Sequence, residues 1–342
     1  MFQSLPQYNP IKASGQLIQV DALAGDNEPP PYVAVLHNIF MIGQLLVHCS
    51  AKGLYALNLD QGSVSGNFVP GVSPKQARQP FEKACDSMHS GAFLALHNLR
   101  FDNFWHWTME ALVRVVTAQA AGFKGTYILP SVARRHSFIF ESLSMLGISA
   151  DQLILYDGRG WRLETLWIPE PIQATHGLRR YPLLLQALRK AMLKNRVKPK
   201  ITFERVYIAR DNPDLLRRVA NEMELMHLLF KYDFQRVAIE RLPLQDQIGL
   251  MAEARCLVVP HGSGTVHSLF MSPQSLVVEL FDANYVNPCM LPTMEFLKHR
   301  YFMIPNASLN KLEDGHFLVN TYCLDVTLKR ELEEQDGVMA IA

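Results

Sequence analysis

The sequence predicts an α/β protein built from two domains. Its 342 residues exceed the size at which one hydrophobic core usually stops growing, so two cores are expected. Short apolar segments alternate with amphipathic ones along most of the chain, which favours strands alternating with helices in a parallel layer. In the second half the apolar segments are uninterrupted, as expected for strands that helices cover on both faces.

The first predicted domain, residues 1–198, has a β-rich start. The apolar stretch at 32–49 is nearly long enough to cross a bilayer, but it contains four polar side chains that would be costly in hydrocarbon, namely His37, Asn38, Gln44 and His48. Two buried strands around the His37–Asn38 pair are therefore the better interpretation. A loop at 66–80 then leads to a short helix at 79–88.

Helical periodicity in this domain begins at residue 103 and ends at Gly122. One apolar stripe runs along the segment and comprises Phe104, Trp107, Ala111, Leu112 and Val115. A short strand ending at Pro130, a helix near 132–146, two more strands and a long amphipathic helix at 181–200 follow. The basic end of that last helix, NRVKPK, marks the predicted domain boundary.

The second predicted domain, residues 199–325, shows the alternation more clearly. Helices are expected near 219–231, 244–253 and 289–298, between five apolar strands, RVYIAR, FQRVAI, RCLVVP, SLVVELF and YFMIP. The remaining residues, 326–342, contain a charged segment that predicts a helix packing back on the body.

Composition argues against several classes of protein. A formal net charge of +1 gives no general attraction for nucleic acid, and no run of Lys or Arg suggests a polybasic membrane anchor. The five cysteines are widely spaced and form no C-x-x-C, which disfavours a disulfide framework and a zinc site and fits a reducing compartment. Because the N-terminus also lacks the order of a signal peptide, a cytoplasmic protein is expected.

The segment VVPHGSGTVHSLF at 258–270 predicts a phosphate site. A buried strand runs into small residues that open a helix, where unpaired N–H groups and the helix dipole favour an anion. The candidate binding residues are His261, Gly262, Ser263, Gly264 and Thr265. The same residues are also compatible with a glycine-rich turn that binds no phosphate and is capped by His261. No P-loop, no G-x-G-x-x-G and no G-x-S-x-G occurs in the chain.

A second cluster consists of arginines. Arg210 ends a buried strand, and Arg217 and Arg218 follow just before a helix. Because guanidinium binds phosphate bidentately, the three suggest a diphosphate clamp, although a solvated loop of charges fits as well. Glu279, at the end of an apolar strand, fits either a ribose ligand or a buried salt bridge.

The third cluster is Asp102, His106 and Glu110, whose spacing of four would place them on one face of a helix. A histidine beside carboxylates can act as a general base near neutral pH, so these are the candidate catalytic residues. Asp102 also fits a helix cap, and His106 also fits a core histidine between two tryptophans. The chain has no D-x-D and no H-E-x-x-H, so no metal or other cofactor is expected.

Taken together, several segments resemble glycosyltransferase family 61, long known as capsular polysaccharide biosynthesis proteins of unknown function. The resemblance is dense over about residues 204–281 and extends to NFWHWTMEALVRV; its main segments are RVYIAR…RRVANEMEL, YDFQRVAIERLPLQDQIGLMAEARCLVVPHGSGTVHSLFM and SLVVELF. It implies a GT-B architecture, in which two Rossmann-like domains face a cleft. It also implies an inverting, metal-independent transferase that uses a nucleotide sugar, usually UDP-linked.

Carried over residue by residue, the resemblance implies that Arg210 and Arg218 hold the diphosphate, with Arg217 as a helper. Residues 261–264 would form the phosphate turn, Glu279 would hold the ribose, and Gln247 would support the site. The chain departs from the family pattern at His267, where an Asn is usual, and in the insertion DNPDLL at 211–216.

The sequence therefore predicts a glycosyltransferase that moves a sugar from a nucleotide sugar to a hydroxyl of a glycan or lipid-linked acceptor, with His106 as the favoured base. Two alternatives stay open: a nucleotide-sugar epimerase of the same architecture, and a non-catalytic module that binds a sugar nucleotide or a glycan. Analysis of the products distinguishes an epimerase from a transferase, because an epimerase changes the sugar while it stays on the nucleotide. A measurement of turnover distinguishes a non-catalytic binding module from an enzyme. Peripheral membrane association and a homo-oligomer are left open.

Overall fold

A computed structural model of the chain describes residues 16–23, 30–43, 45–50, 53–58, 63–65, 74–96, 100–170, 182–211, 216–309 and 316–339. The chain divides into two compact units, unit 1 (Met1–Leu188) and unit 2 (Arg189–Ala342). The boundary predicted after residue 198 stays a prediction, as does the division of roles that the resemblance implies, with an acceptor-side first domain and a second domain that binds the nucleotide sugar. Of the loop predicted at 66–80, residues 66–73 lie outside the described residues, and residues 74–80 are helical rather than a loop.

The described part of unit 1 contains a mixed sheet of nine strands in the order β5-β4-β3-β2-β9-β6-β7-β8, with β1 beside β2. Pairs among β1 to β5, and the pair β2–β9, are antiparallel, whereas β9, β6, β7 and β8 run parallel. The strands are β1 (Gln16–Gln19), β2 (Tyr32–Ile42), β3 (Leu45–Ser50), β4 (Gly53–Asn58), β5 (Ser63–Ser65), β6 (Ser87–Ala95), β7 (Thr126–Pro130), β8 (Leu153–Tyr156) and β9 (Trp161–Pro169).

The stretch at 32–49 forms two strands, as predicted, but the chain reverses near Gly43 rather than at the His37–Asn38 pair. Gly43 has a φ of +57°, which suits the turn of a hairpin. His37 and Asn38 lie exposed within β2, where Asn38 has a φ of +55° and interrupts the pairing with β9. No helix in the described ranges is long and apolar enough to cross a bilayer.

Four helices carry labels in the first part of the chain: α1 (Pro74–Ala84), α2 (Phe104–Ala120), α3 (Ser137–Met145) and α4 (Pro182–Lys194), of which α4 begins in unit 1 and ends in unit 2. α2 is continuous but changes its winding, because Phe104–His106 and Leu112–Ala120 are α-helical whereas Trp107–Ala111 is a π-helical turn. The helix predicted at 79–88 ends at Ala84, since residues 87–95 form β6. The one predicted near 132–146 begins only at Ser137, after a 3₁₀ turn, Ser131–Arg135.

Unit 2 contains a sheet in the order β11-β10-β12-β13-β14-β15. Its strands are β10 (Arg205–Ile208), β11 (Gln235–Val237), β12 (Cys256–Pro260), β13 (Leu276–Asp282), β14 (Arg300–Ser308) and β15 (Phe317–Leu318). The first five in chain order are parallel, and β15 is antiparallel. The parallel strands thus have the order 2-1-3-4-5 of an open doubly wound sheet, whose strand order reverses between β10 and β12.

Helices complete unit 2: α5 (Glu222–Phe230), α6 (Leu244–Glu253), α7 (Leu291–Leu297) and α8 (Thr321–Met339). The segment expected to open a helix after β12 is a 3₁₀-helix, Ser263–Phe270, which begins between the two glycines. α8 begins at Thr321, five residues before the segment 326–342 in which the sequence predicted a helix. Apolar side chains of α5 and α8 share one core with the sheet; they include Leu225, Leu229, Leu324, Leu328 and Leu332. The mixed α/β class is confirmed, and the GT-B architecture stays a prediction.

Candidate functional site

The predicted phosphate residues of unit 2 lie where its strand order reverses. Arg210 follows β10 by two residues, and His261 follows β12 directly. Because β10 and β12 are parallel neighbours, their carboxyl ends lie side by side. In open doubly wound sheets ligands bind in the crevice at this point.

Gly262 allows the backbone of the turn to approach the arginines. Its φ is +148°, a conformation that residues with a side chain rarely adopt. A Cβ at this position would lie 1.9 Å from Nη2 of Arg210 and 3.3 Å from Nη2 of Arg217. A Cβ at Gly264 would make only ordinary contacts, 3.5 Å from Ile208 and 3.6 Å from Val259. Of these two glycines, only Gly262 is required by close packing.

Arg210 is held in place by backbone carbonyls. Its Nη1 donates to the carbonyl of Leu216 at 2.7 Å and its Nη2 to that of His261 at 2.8 Å. Burial, and next the charge of Arg217, lower the pKa of Arg210 to about 10. The guanidinium therefore stays positive at neutral pH, but it is crowded by a second cation.

Arg217 has a φ of +62°, and its guanidinium carbon lies 5.2 Å from the ring centroid of Tyr285. Its Nε is buried and has no hydrogen-bond partner within the described ranges. The backbone N–H of Arg218 donates to Nδ1 of His316 at 3.1 Å. The charge of Arg218 also helps to lower the pKa of Asp211, although the effects of Arg236 and Arg241 are larger. Most of the DNPDLL insertion, residues 212–215, lies outside the described part of the chain.

His261 and Glu279 form a buried pair below the turn. Nδ1 of His261 lies 2.6 Å from Oε1 of Glu279, and the His261 ring stacks on Phe281 with centroids 4.4 Å apart. The hydroxyl of Thr265 donates to Oε1 at 2.8 Å, and that of Tyr301 to Oε2 at 2.5 Å. Burial, and next the charge of Glu279, raise the pKa of Tyr301, so its hydroxyl remains a donor.

His267, which stands where the family pattern has Asn, is turned into the protein. Its Nδ1 lies 2.8 Å from the carbonyl of Gly264 and its Nε2 lies 2.7 Å from Oε1 of Gln247. Burial lowers the pKa of His267 to about 4, so the ring is neutral at physiological pH. The two side chains brace the turn from behind, which fits the supporting role that the resemblance gives to Gln247.

In unit 1, His106 and Glu110 lie on α2 with Nδ1 3.0 Å from Oε2. Both side chains are one-fifth exposed, and the π-helical turn runs between them and includes Glu110. Such turns occur often at functional sites. Trp107, beside His106, is fully buried and donates from its indole to Ser142 at 2.8 Å. His106 thus lies at the edge of the core rather than inside it.

Asp102 lies outside α2, and the expectation that it shares a helix face with His106 or caps the helix is wrong. Asn103 is the N-cap, and its Oδ1 accepts from the backbone N–H of Trp105 at 2.9 Å and of His106 at 3.4 Å. An amide cap satisfies these N–H groups as well as a carboxylate does, so Asp102 is left exposed one residue earlier.

A family comparison matches residues 104–278, about half of the chain, to the family described as Glycosyltransferase 61. This range includes α2 in unit 1 and extends to β13 in unit 2, where it ends one residue before Glu279.

The chain belongs to glycosyltransferase family 61.

Among characterised proteins, the family 61 chain is similar to the EGF domain-specific O-linked N-acetylglucosamine transferase of Drosophila melanogaster. The two are 38% identical over 74 residues, which are 21% of this chain and 14% of the fly protein. The chain therefore matches only a small part of that relative, about a seventh of its length.

The structure brings together Arg210, Arg217, Gly262 and His261 at one end of the unit 2 sheet, with Thr265 and Glu279 beneath them. Ser263 and Gly264 begin the 3₁₀-helix. His106 and Glu110 are paired on unit 1, and Asp102 is apart from them. Within the described ranges, no group of three or more His, Cys, Asp and Glu side chains could hold a metal ion.

Three residues of this family 61 chain were missed from the sequence. Tyr301 reaches Glu279 because β14 pairs with β13 in the register Val277↔Tyr301. No local sequence pattern predicts that register. Tyr285 lies against Arg217 and 5.6 Å from the ring of His261. Arg114, on α2, is buried and donates to the carbonyls of Ala95 and Leu96, so it anchors that helix at the end of β6. The sequence signal that could have identified Arg114 is an arginine within an otherwise apolar helical segment.

Proposed function

We propose that the protein is an inverting glycosyltransferase that takes a sugar from a UDP-linked donor and transfers it to a hydroxyl group without a metal ion. The observation that carries this proposal is the convergence of two guanidinium groups, those of Arg210 and Arg217, on the Gly262 turn at the reversal of a doubly wound sheet. Family membership supports glycosyl transfer, and the cationic turn supports a diphosphate leaving group.

The cationic turn suits a diphosphate for electrostatic reasons. Arg217 lies close enough to Arg210 for its charge to lower the pKa of Arg210, and an anion between or beside the two guanidinium groups relieves that repulsion. Preorganised donors of this kind stabilise charge that develops on a leaving group, which is the work a metal ion performs in other enzymes. Arg218 and the N–H groups of residues 263 and 264 are the further donors in this proposal, since the N–H of Thr265 already donates to the carbonyl of Gly262.

Glu279 has a different role in this proposal from the ribose contact suggested by the resemblance. Its side chain is 1% exposed, and both carboxylate oxygens already accept hydrogen bonds. Binding a ribose would require the carboxylate to exchange one of these partners. We therefore assign Glu279 to positioning His261, which is nearer to the turn.

His106 is the proposed base that takes the acceptor proton as the hydroxyl oxygen attacks C1, with Glu110 as its orienting carboxylate. A carboxylate on Nδ1 fixes the tautomer in which Nε2 can accept a proton. The resemblance puts this residue in the family's aromatic-His-Trp segment, and the family match begins two residues before it.

The name of the fly relative makes UDP-N-acetylglucosamine the first donor to test and an EGF domain the first protein acceptor. A glycan or lipid-linked precursor, as the sequence suggested, is the acceptor to test beside it. The cytoplasmic location and the GT-B architecture remain predictions from the sequence.

The proposal is tested by thermal-shift measurements with UDP, GDP, CMP and NAD, each with and without EDTA. Selective stabilisation by UDP that persists in EDTA is expected, because a ligand that binds only the folded state raises its stability by an amount set by concentration over Kd. Arg217→Met should lose the shift, because it removes one of the two guanidinium groups at the Gly262 turn. The fold should be kept, since the Arg217 guanidinium donates to no backbone carbonyl in the described structure.

Arg255→Met is the matched control, since Arg255 lies in the same unit, is 73% exposed and faces only Glu204 at 3.7 Å. It removes one positive charge from unit 2 and should keep the UDP shift. No stabilisation by any nucleotide at millimolar concentration would mean that the donor site is misassigned.

A further inference from the structure

The ring of His261 is fixed in one orientation with one nitrogen left over. Its Nδ1 faces Oε1 of Glu279, Phe281 stacks on one face of the ring and Tyr285 lies 5.6 Å away. Nε2 makes no hydrogen bond within the described structure, although the residue as a whole is only 3% exposed. Nε2 is therefore the nitrogen available to a ligand.

Glu279 is built to receive donors. Three groups point at its carboxylate, the Nδ1 of His261 and the hydroxyls of Thr265 and Tyr301. Because an ionised carboxylate only accepts hydrogen bonds, all three contacts are satisfied when Nδ1 carries a hydrogen. A neutral His261 then has Nε2 as an acceptor, and a protonated one has Nε2–H as a donor.

The groups around His261 decide when it gains a proton. Arg210 donates to the His261 carbonyl, and Arg217 lies across the ring of Tyr285, so two cations oppose a third positive charge. Glu279 favours that charge, and Tyr301 stays neutral. Burial, and next the charge of Glu279, raise the pKa of the nearby Cys289 thiol to about 12, so it is neutral too. A bound diphosphate would add negative charge and move this balance toward the imidazolium.

We propose that His261 is a catalytic residue that takes up a proton at Nε2 when the diphosphate binds and returns it to the leaving group. This inference rests on the proposed function. In the step, the bond from C1 to the β-phosphate oxygen breaks with its electron pair on that oxygen, which receives the Nε2 proton. The acceptor oxygen forms the new bond to C1 and its proton passes to His106. Both histidines then exchange protons with water.

Calorimetric titration with UDP at pH 8 tests the proposal, in two buffers that differ in ionisation enthalpy. An ordinary imidazole is mostly neutral at this pH, so proton uptake on binding appears as a difference between the two measured enthalpies. Wild-type protein should take up more than half a proton per UDP. His261→Gln and Glu279→Gln should each lose that uptake, the first by removing the ring and the second by removing the carboxylate charge.

His227→Gln is the control for loss of any histidine, because His227 is exposed on α5 and contacts only the carbonyl of Met223. It should keep the proton uptake of wild type. If wild-type protein binds UDP without taking up protons, or if His261→Gln still takes them up, the inference is wrong while the donor site stands. If wild-type protein does not bind UDP, the proposed function itself fails.

Discussion

At the scale of single residues, two glycines of the same turn differ in what they permit. Gly262 has a φ of +148°, and a Cβ there would meet the guanidinium of Arg210. That guanidinium cannot easily give way, because two carbonyls hold it. Gly264 has room for a methyl group in ordinary contact with Ile208 and Val259. The close approach of backbone to cation therefore depends on one glycine of the two.

Replacing Gly262 with Ala is expected to weaken UDP binding about tenfold or more, because both the backbone and Arg210 must move. Gly264→Ala should change the dissociation constant by about twofold at most. Calorimetric titration of the two variants makes the comparison. Equal effects of the two substitutions would contradict the packing argument.

His106→Ala is expected to lower kcat by about 10²–10⁴-fold, the usual contribution of a general base. Glu110→Gln keeps a side chain of the same size and should lower kcat less, because it removes only the orienting charge. Rates with a saturating donor, measured beside UDP affinity, make the test. If kcat of His106→Ala stays within a fewfold of wild type while the fold is intact, His106 is not the base.

At the scale of elements, α2 is the helix that carries the candidate base. Its start is fixed by Asn103, its middle winds as a π-helical turn, and Arg114 ties it to the end of β6. The i→i+5 bond from the N–H of Leu112 to the carbonyl of Trp107 marks the wider turn. These contacts hold His106 and Glu110 in a fixed pair at the surface of the core.

Asn103→Ala should lower the free energy of unfolding by about 1 kcal/mol, within the range of 0.5–2 kcal/mol for lost N-caps. Two backbone N–H groups lose the oxygen that accepts from them. Asp102→Ala, one residue earlier, should have almost no effect on stability because the residue is exposed and outside the helix. Denaturant unfolding of both variants measures the two changes in free energy. An equal loss of unfolding free energy in Asp102→Ala would mean that Asn103 is not the residue that caps the helix.

Much of this element was predictable, and its exceptions have physical causes. The apolar stripe of α2 identified the helix, because 3.6-residue periodicity is a local property of the chain. The cap was misassigned because Asp and Asn serve equally well, and only the backbone conformation selects between adjacent residues. The 3₁₀ winding of residues 263–270 was missed because six of its eight residues are buried, and packing rather than propensity sets the winding there.

At the scale of the whole molecule, each unit has its own sheet and its own apolar core. The groups proposed to bind the diphosphate all belong to unit 2, and the proposed base belongs to unit 1. The two proposed functions therefore belong to separately packed parts of the chain. Ligand effects on unit 2 can be followed without reference to the base.

Hydrogen exchange is expected to slow most on UDP binding in residues 205–211 and 256–285, because these contain β10, β12, the Gly262 turn and β13. The strands β3 and β4 of unit 1 should change least. Exchange measured by mass spectrometry with and without UDP makes the comparison. The largest protection in unit 1 would place the nucleotide outside the site proposed here.

The sequence by itself determined the α/β class, the order of most strands and helices and the family, because periodicity and short motifs are local. It also supplied the arginines and the HGSG turn as candidates. Only the tertiary structure decided which of them meet. The parallel pairing of β10 with β12 places Arg210 on the His261 carbonyl, and the register of β13 with β14 brings Tyr301 to Glu279. These pairings depend on contacts between residues far apart in the chain, which no local pattern encodes.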